Sequence, residues 1–213
     1  ISGALLIHDE TLGVQLTAND QANPLLPAVF QQTGLIGWAE SAAPIIASAT
    51  VDFGANGPGT VAYVLTTAAG GAFNGVDSGL QATATGNHIF LFTEGNLVVA
   101  REGNGATPNS GGAIALELYL DPATLKLSVA QYEAIQHNNA LDANDRTELA
   151  DVVFVQQVVT DGQGIVVTEV SSSPVGVAFD DDGPAIQVTV AESDGEGPSG
   201  LETLVLDEST GND

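Results

Sequence analysis

Three consecutive aspartates form the densest group of potential metal ligands in the sequence. Asp180, Asp181 and Asp182 precede Gly183 and Pro184, whose restricted backbone would hold the carboxylates in a fixed turn. Calcium takes about six to eight oxygen ligands, often several carboxylates gathered within a few residues or at a domain junction. In a chain this acidic, a solvated loop explains the same residues about equally well. The residues alone therefore leave both interpretations open.

Two Asp-Glu pairs follow short apolar segments near the two ends of the chain. Asp9 and Glu10 follow one such segment, and Asp207 and Glu208 follow the other. Acids at the start of a domain suit a calcium site shared with a neighbouring domain. Asp9 and Glu10 would then need the end of a preceding repeat as a partner. A charged strand end is an equally good explanation of both pairs.

A third acidic stretch begins at Asp142 and ends at Glu148. Oxygen-bearing residues alternate in it, but it lacks the glycine of an EF-hand loop, and Arg146 would place a cation among the ligands. The pattern favours a solvated loop over a calcium site.

Residue types that carry catalysis are sparse. His8, His88 and His137 are far apart without the spacing of a zinc helix, and the sequence has no cysteine, nucleophile elbow or Walker loop. With 27 acids, some close carboxylate pair is almost inevitable, so a glycosidase hypothesis gains little from finding one. We expect no enzyme. Trp38 and Tyr119 are the candidates for stacking on a sugar, and core packing is the favoured role of both.

The net charge of the chain limits the kinds of molecule that it can bind. Three basic residues against 27 acidic ones give a net charge of -24, and this chain lacks the Lys and Arg that hold phosphate backbones or anionic lipids. We therefore exclude nucleic acid and membrane surfaces as partners, and we expect counter-cations. No run approaches the ~18 apolar residues needed to span a bilayer, so we expect no direct membrane insertion. Because 44% of the residues are hydrophobic, the chain should nevertheless fold.

Hydrophobic patterning predicts an all-β, sandwich-like domain with one or two short helices. Alternating segments predict strands buried on one face, and denser apolar runs predict strands buried on both. The alternating segments are 61–65, 114–120 and 186–190, and the dense runs are 89–92, 97–100, 152–159 and 165–170. Ser128 and Gln131 have capping-box spacing, which predicts a helix to about Gln136 with His137 capping its end. Residues 26–43 predict a helical or irregular cover on the sheet.

The chain divides at a polar, glycine-rich stretch. We expect one domain over residues 1–190, then a linker and the first residues of a next repeat over 191–213, because Leu204–Ser209 repeats the pattern of Leu5–Thr11. This organisation is typical of an internal fragment.

Four motifs occur in an order that resembles a known family. They are Val76–Leu80, Gly95–Arg101, Leu125–His137 and Asp180–Pro184. Their succession resembles the repeat domains of giant repeats-in-toxin (RTX) adhesins exported by type I secretion, in the form called a split domain.

The resemblance implies a secreted module at the bacterial cell surface. It implies a non-catalytic, calcium-stiffened repeat that extends a fibre, contacts adjacent domains of the same adhesin and presents ligand-binding domains for adhesion and biofilm formation. It favours calcium at Asp180–Asp182, and we expect the isolated domain to be a monomer. The alternative is a module that itself binds a surface glycan or peptide. Family repeats often carry an Asp-Gly-Asp-Gly-Asp run, which this chain replaces by Asp161–Ile165, so no calcium site is carried over there.

Overall fold

The computed structural model describes residues 5–11, 13–15, 17–46, 51–139, 142 and 144–182, together with the strand backbone of 185–190 and 202–207. Within these residues the protein is all-β, as predicted, and its helical structure consists of two 3-10 turns. These turns are Asn23–Leu25 and Gly54–Asn56. The strands are β1 (Leu6–Asp9), β2 (Gly37–Glu40), β3 (Thr60–Thr66), β4 (Asn74–Gln81), β5 (His88–Glu94), β6 (Leu97–Glu102), β7 (Ile114–Leu120), β8 (Leu127–Gln131), β9 (Arg146–Glu148), β10 (Phe154–Thr160), β11 (Val166–Val170), β12 (Val177–Asp180), β13 (Ala185–Val190) and β14 (Glu202–Asp207).

Three sheets enclose a common core. The largest is a six-stranded antiparallel sheet in the order β2-β8-β7-β6-β5-β4. An antiparallel sheet β11-β10-β3 and a mixed sheet β1-β12-β9 pack with it, and one apolar cluster draws residues from all three. Leu118 comes from the large sheet, Val155 from the second and Phe179 from the third. The arrangement is sandwich-like, since each sheet turns an apolar face toward the others.

The helix predicted from Ser128 onward is wrong. Ser128–Gln131 belongs to β8, in which every residue is buried, and this strand pairs with β7 on one side and β2 on the other. A capping motif is worth about 1 kcal/mol. Two complete ladders and a buried strand outweigh that local preference.

The segment predicted as a cover on the sheet is irregular, and its later part forms β2. Phe30 and Trp38 are buried against Ala130 of β8, and Trp38 donates its indole hydrogen bond to the Ala22 carbonyl at 3.2 Å. Core packing is therefore confirmed for Trp38. Tyr119 packs edge-to-face on Phe30 with ring centroids 6.2 Å apart.

The cover changes the environment of β7, for which the sequence predicted one exposed face. Leu116, Leu118 and Leu120 point into the main core, while Glu117 is buried on the opposite face. Glu117 accepts hydrogen bonds from the Gln31 backbone at 2.8 Å and the Tyr132 hydroxyl at 2.6 Å. The expectation of a solvated face was wrong because residues far away in sequence cover it.

The predicted burial of β11 was wrong in the opposite direction. The run 165–170 predicted a strand buried on both faces, yet Val167 is 65% exposed, and Ile165 and Val166 are exposed as well. β11 is the edge of its sheet and pairs with β10. The dense run of valines therefore reflects β propensity without burial.

The last two strands form their own antiparallel pair, β13 with β14. The boundary at residue 190 lies between these strands and stays a prediction. No helix within the described residues is long and apolar enough to cross a membrane.

Candidate metal centre

Parallel pairing of β1 with β12 brings two of the predicted acidic groups together. Asp9 lies opposite Asp180 in the ladder, and the Glu10 backbone donates to the Asp180 carbonyl at 3.0 Å. The acids that end β1 therefore lie beside Asp181 and Asp182, which follow β12. Asp9 and Glu10 therefore have acidic neighbours within the same chain, and a site shared with a preceding repeat stays a prediction.

Glu10 is buried at this junction and oriented through one carboxylate oxygen. Its Oε1 accepts a hydrogen bond from the Ile135 backbone at 3.0 Å and another from the Gln131 side chain. Burial raises the pKa of Glu10, and these two donors oppose the rise in part. The remaining oxygen, Oε2, faces His137 at 3.9 Å from Nε2.

His137 is the unexpected member of the site. Its side chain is 4% exposed, and neither ring nitrogen has a hydrogen-bond partner among the described residues. One ring nitrogen, one oxygen of Glu10 and one oxygen of Asp181 all lie within 4.8 Å of one another. These three residues are called the inner group below.

Asp145 forms hydrogen bonds both to the loop that follows His137 and to the loop that contains Asp181. Its Oδ2 accepts from the backbones of Asn138 and Asn139 at 2.9 and 2.8 Å, directly after His137. Its carbonyl accepts from the Asp181 backbone at 2.9 Å. Asp145 thus positions His137 and Asp181 from the stretch that the sequence assigned to a solvated loop.

Asp9 and Asp182 form the outer side of the same junction. Asp9 is buried and accepts a hydrogen bond from the Thr11 backbone at 2.8 Å. Burial raises the pKa of Asp182, and the charges of Asp181 and Asp9 raise it further. Asp9, Asp181 and Asp182 are therefore close enough for the charges of the first two to act on the third.

Asp180 has a different partner. Both of its oxygens accept from Arg146, at 2.6 Å from Nε and 2.8 Å from Nη2. A calcium ion would have to displace this bidentate guanidinium, so we leave Asp180 out of the proposed ligand set.

Asp207, which the sequence predicted as a ligand, and Asp161, to which no calcium site was carried over, are two further acids. Asp207 ends β14 opposite Ala185, and its side chain and the whole of Glu208 lie outside the described residues. Asp161 accepts from the backbones of Gln163 and Ile165 at 2.9 and 2.8 Å and from Asn56 at 2.7 Å. Those donors occupy the carboxylate in a turn.

His8 and Asp20 form a buried pair next to Asp9. His8 Nδ1 is 2.7 Å from Asp20 Oδ1, and Asp20 also accepts from the Asp9 backbone at 3.2 Å. His8 Nε2 is buried without a partner among the described residues. The ring lies against Gly37, where an added Cβ would be 2.5 Å from His8 Cε1.

Sequence reasoning identified the carboxylates but missed His137 and Asp20. His137 lies six residues after Gln131, where β8 ends, and the sequence had predicted a helix over this segment. Asp20 lies in the irregular segment that precedes β2. The one available signal was the position of His137 inside the longest of the four ordered motifs.

Comparison with known proteins returned a single family. Residues 5–172 match the model of a family described as a domain of unknown function, DUF5801. That span contains Asp9, Glu10 and His137 and ends before Asp180. No curated protein and no solved structure matches the chain.

Proposed function

The chain belongs to the DUF5801 family, and we propose that it acts as a non-catalytic, calcium-stabilised structural module of a large secreted bacterial adhesin. In this role it extends a fibre at the cell surface and presents neighbouring ligand-binding domains. The single observation that carries the proposal is the junction of β1 and β12, where acids from both ends of the domain meet.

Calcium is supported by the oxygen chemistry of the outer side of that junction. Asp9, Asp181 and Asp182 offer carboxylates from two adjacent strand ends, and calcium accepts several such ligands in irregular geometry. An ion there would neutralise these acids. The pKa of Asp182 is raised by burial and, in addition, by the charges of Asp181 and Asp9. The ion would also tie the first strand of the domain to the last strand of its main body.

The adhesin assignment and extracellular location rest on the ordered resemblance of four motifs to RTX repeat domains. A net charge of -24 agrees with a chain that folds where cations are abundant, because bound ions relieve self-repulsion and add their binding energy to folding.

The lack of catalysis is supported by the surroundings of the His8–Asp20 pair. Such a pair activates a nucleophile through the second ring nitrogen, which must lie within hydrogen-bonding distance of that nucleophile. Here that nitrogen, Nε2, is buried, and the ring is enclosed by Gly37 and Phe179. A structural role for this pair follows.

The proposal predicts that calcium binding depends on the outer carboxylates. Replacing Asp181 or Asp182 by Asn keeps the shape of the side chain and removes one charged ligand. We expect each variant to bind calcium roughly tenfold or more weakly than the wild type, since ligand charge sets affinity in such sites. Calorimetric titration of calcium into the metal-stripped chain measures this change.

Glu169→Gln is the matched control. It removes one negative charge from exposed β11, which belongs to another sheet. This control should bind calcium like the wild type. If Asp181→Asn and Asp182→Asn also bind like the wild type, the proposed ligand set is wrong.

One observation favours the alternative of a module that binds a ligand itself. A groove of about 330 Å³ is lined by Tyr63, Asn96, Tyr119 and Gln156 among apolar side chains. Its volume falls at the lower end of the ~300–1,000 Å³ range of small-ligand pockets.

A glycan array separates these two functions. A pure scaffold binds no glycan on the array. Binding by the wild type that is lost in Asn96→Ala, a change of an exposed side chain, would instead assign recognition to the groove.

A further inference from the structure

His137 requires an explanation that the calcium proposal does not supply. A buried imidazole normally hydrogen-bonds through at least one nitrogen, since an unpaired buried polar group costs about 1–3 kcal/mol. The side chain of His137 is 4% exposed and both nitrogens lack a partner among the described residues. Glu10 Oε2 lies 3.9 Å from its Nε2, beyond hydrogen-bonding distance.

The same distance suits two ligands of one ion. Two atoms bound to a tetrahedral ion through bonds of about 2.0–2.1 Å lie about 3.4 Å apart. The inner group has its three ligand atoms within 4.8 Å of one another, so a small inward movement of the side chains would close it around an ion.

The ligand types select the class of ion. Calcium and magnesium prefer oxygen ligands, whereas imidazole nitrogen combined with carboxylate oxygen suits zinc and related first-row divalent cations. The inner group offers one nitrogen and two carboxylates. The outer side of the junction, by contrast, offers oxygen ligands from Asp9 and Asp182.

The surroundings of the inner group pre-organise it. Glu10 Oε1 is held by the Ile135 backbone and Gln131, which leaves Oε2 directed at His137. Asp145 anchors the backbone on either side of the gap, after His137 and at Asp181. Hydrogen bonds of this kind orient ligands in protein metal sites.

We infer that Glu10, His137 and Asp181 form a site for a divalent cation of the zinc class, separate from the calcium proposed at the outer side of the junction. Asp181 belongs to both sites. Water would complete the coordination of an ion held by three protein ligands.

The test is a calorimetric titration of Zn²⁺ alone into the metal-stripped wild-type chain. We expect one equivalent to bind, and we expect His137→Gln and Glu10→Gln to weaken zinc binding roughly tenfold or more, by analogy with the effect of disturbing ligand orientation. His137→Gln should leave calcium binding close to that of the wild type, because calcium does not use the imidazole.

His88→Gln is the matched control. His88 also lies beside a carboxylate, with Nδ1 2.9 Å from Asp77 Oδ2, but that pair is solvent-accessible. This variant should bind zinc like the wild type. X-ray absorption at the zinc edge of the loaded wild-type chain should show imidazole nitrogen in the first coordination shell, and this result does not depend on the folding of any variant.

Two outcomes overturn the inference. A cluster in which Glu10, His137 and Asp181 hold no metal predicts no zinc binding by the wild type. Zinc bound without an imidazole ligand equally contradicts the site. If the wild-type chain binds calcium but no zinc, this inference alone is wrong, whereas a wild-type chain that binds no calcium contradicts the proposed function.

Discussion

A glycine packs tightly against His8, next to the acidic junction. Gly37 begins β2, and the ring of His8 fills the space where a side chain would project. The ring in turn holds Asp20, which accepts from the backbones of Asp9 and Gln15 at 3.2 and 3.3 Å. Because Gly37 has no side chain, the His8 ring can lie where it contacts Asp20. Asp20 in turn accepts the hydrogen bonds that position the end of β1.

We predict that Gly37→Ala destabilises the protein by about 1–3 kcal/mol, because the new Cβ would overlap His8 and overpack a buried position. Urea denaturation measures the change. Gly111→Ala is the control, since a Cβ there meets its nearest neighbour at an ordinary 3.7 Å. Equal stability of the two variants would show that the His8 ring has room to move.

Tyr132 provides a second test at the residue scale. Burial raises the pKa of the Tyr132 phenol well above its usual value, and its hydrogen bond to Glu117 raises it further. Because the folded-state pKa is the higher one, this stabilisation is complete below the unfolded pKa of about 10 and is lost as the pH rises above it.

We therefore predict that Tyr132 does not ionise in the folded protein near pH 10. Phenolate absorbance during an alkaline titration should be the same for the wild type and Tyr132→Phe until circular dichroism reports unfolding. An extra phenolate in the wild type while the fold is intact would contradict the buried hydrogen bond.

The sequence predicted strands correctly where the apolar pattern is local, and it predicted exposure wrongly where distant segments decide it. β5 and β6 were recognised as strands buried in a sheet because their apolar runs are continuous and local. The exposure of β7 and β11 was assigned wrongly, because coverage of a face depends on segments far away in the chain. The helix at Ser128 was predicted from a local capping motif that ignored the two neighbouring strands of β8.

In the candidate metal centre, too, local features were predictable from the sequence and long-range pairing was not. Asp9, Glu10, Asp181 and Asp182 were selected for their chemistry, which is local information. Their adjacency comes from parallel pairing of the first strand with the twelfth, which no nearby pattern signals. His137 was missed because its role depends on that pairing as well.

At the scale of elements, we predict a large difference between two apolar truncations. Leu118→Ala, in the fully buried centre of β7, should cost about 2–5 kcal/mol. Val167→Ala, on exposed β11, should change stability by less than about 0.5 kcal/mol. Urea denaturation compares them, and a similar cost for both would mean that β11 is covered in solution.

Charge dominates the behaviour of the whole molecule. With 27 acids and three basic residues, most carboxylates lack a basic partner in the chain. Arg101 and Arg146 each hold one acid in a bidentate pair, and Lys126 pairs with Glu40 at 2.7 Å. None of these three ion pairs involves Asp9, Asp181 or Asp182, so we expect the stability of the fold to depend on divalent ions.

The most direct measurement is the melting temperature of the metal-stripped chain with and without calcium at constant, moderate ionic strength. Calcium at one hundred times its dissociation constant adds about 2.7 kcal/mol, which corresponds to a rise of about 5–10 °C for a chain of this size. We predict that rise, and its loss on addition of a chelator. A melting temperature that calcium and chelator leave unchanged would contradict the account of a calcium-stabilised module.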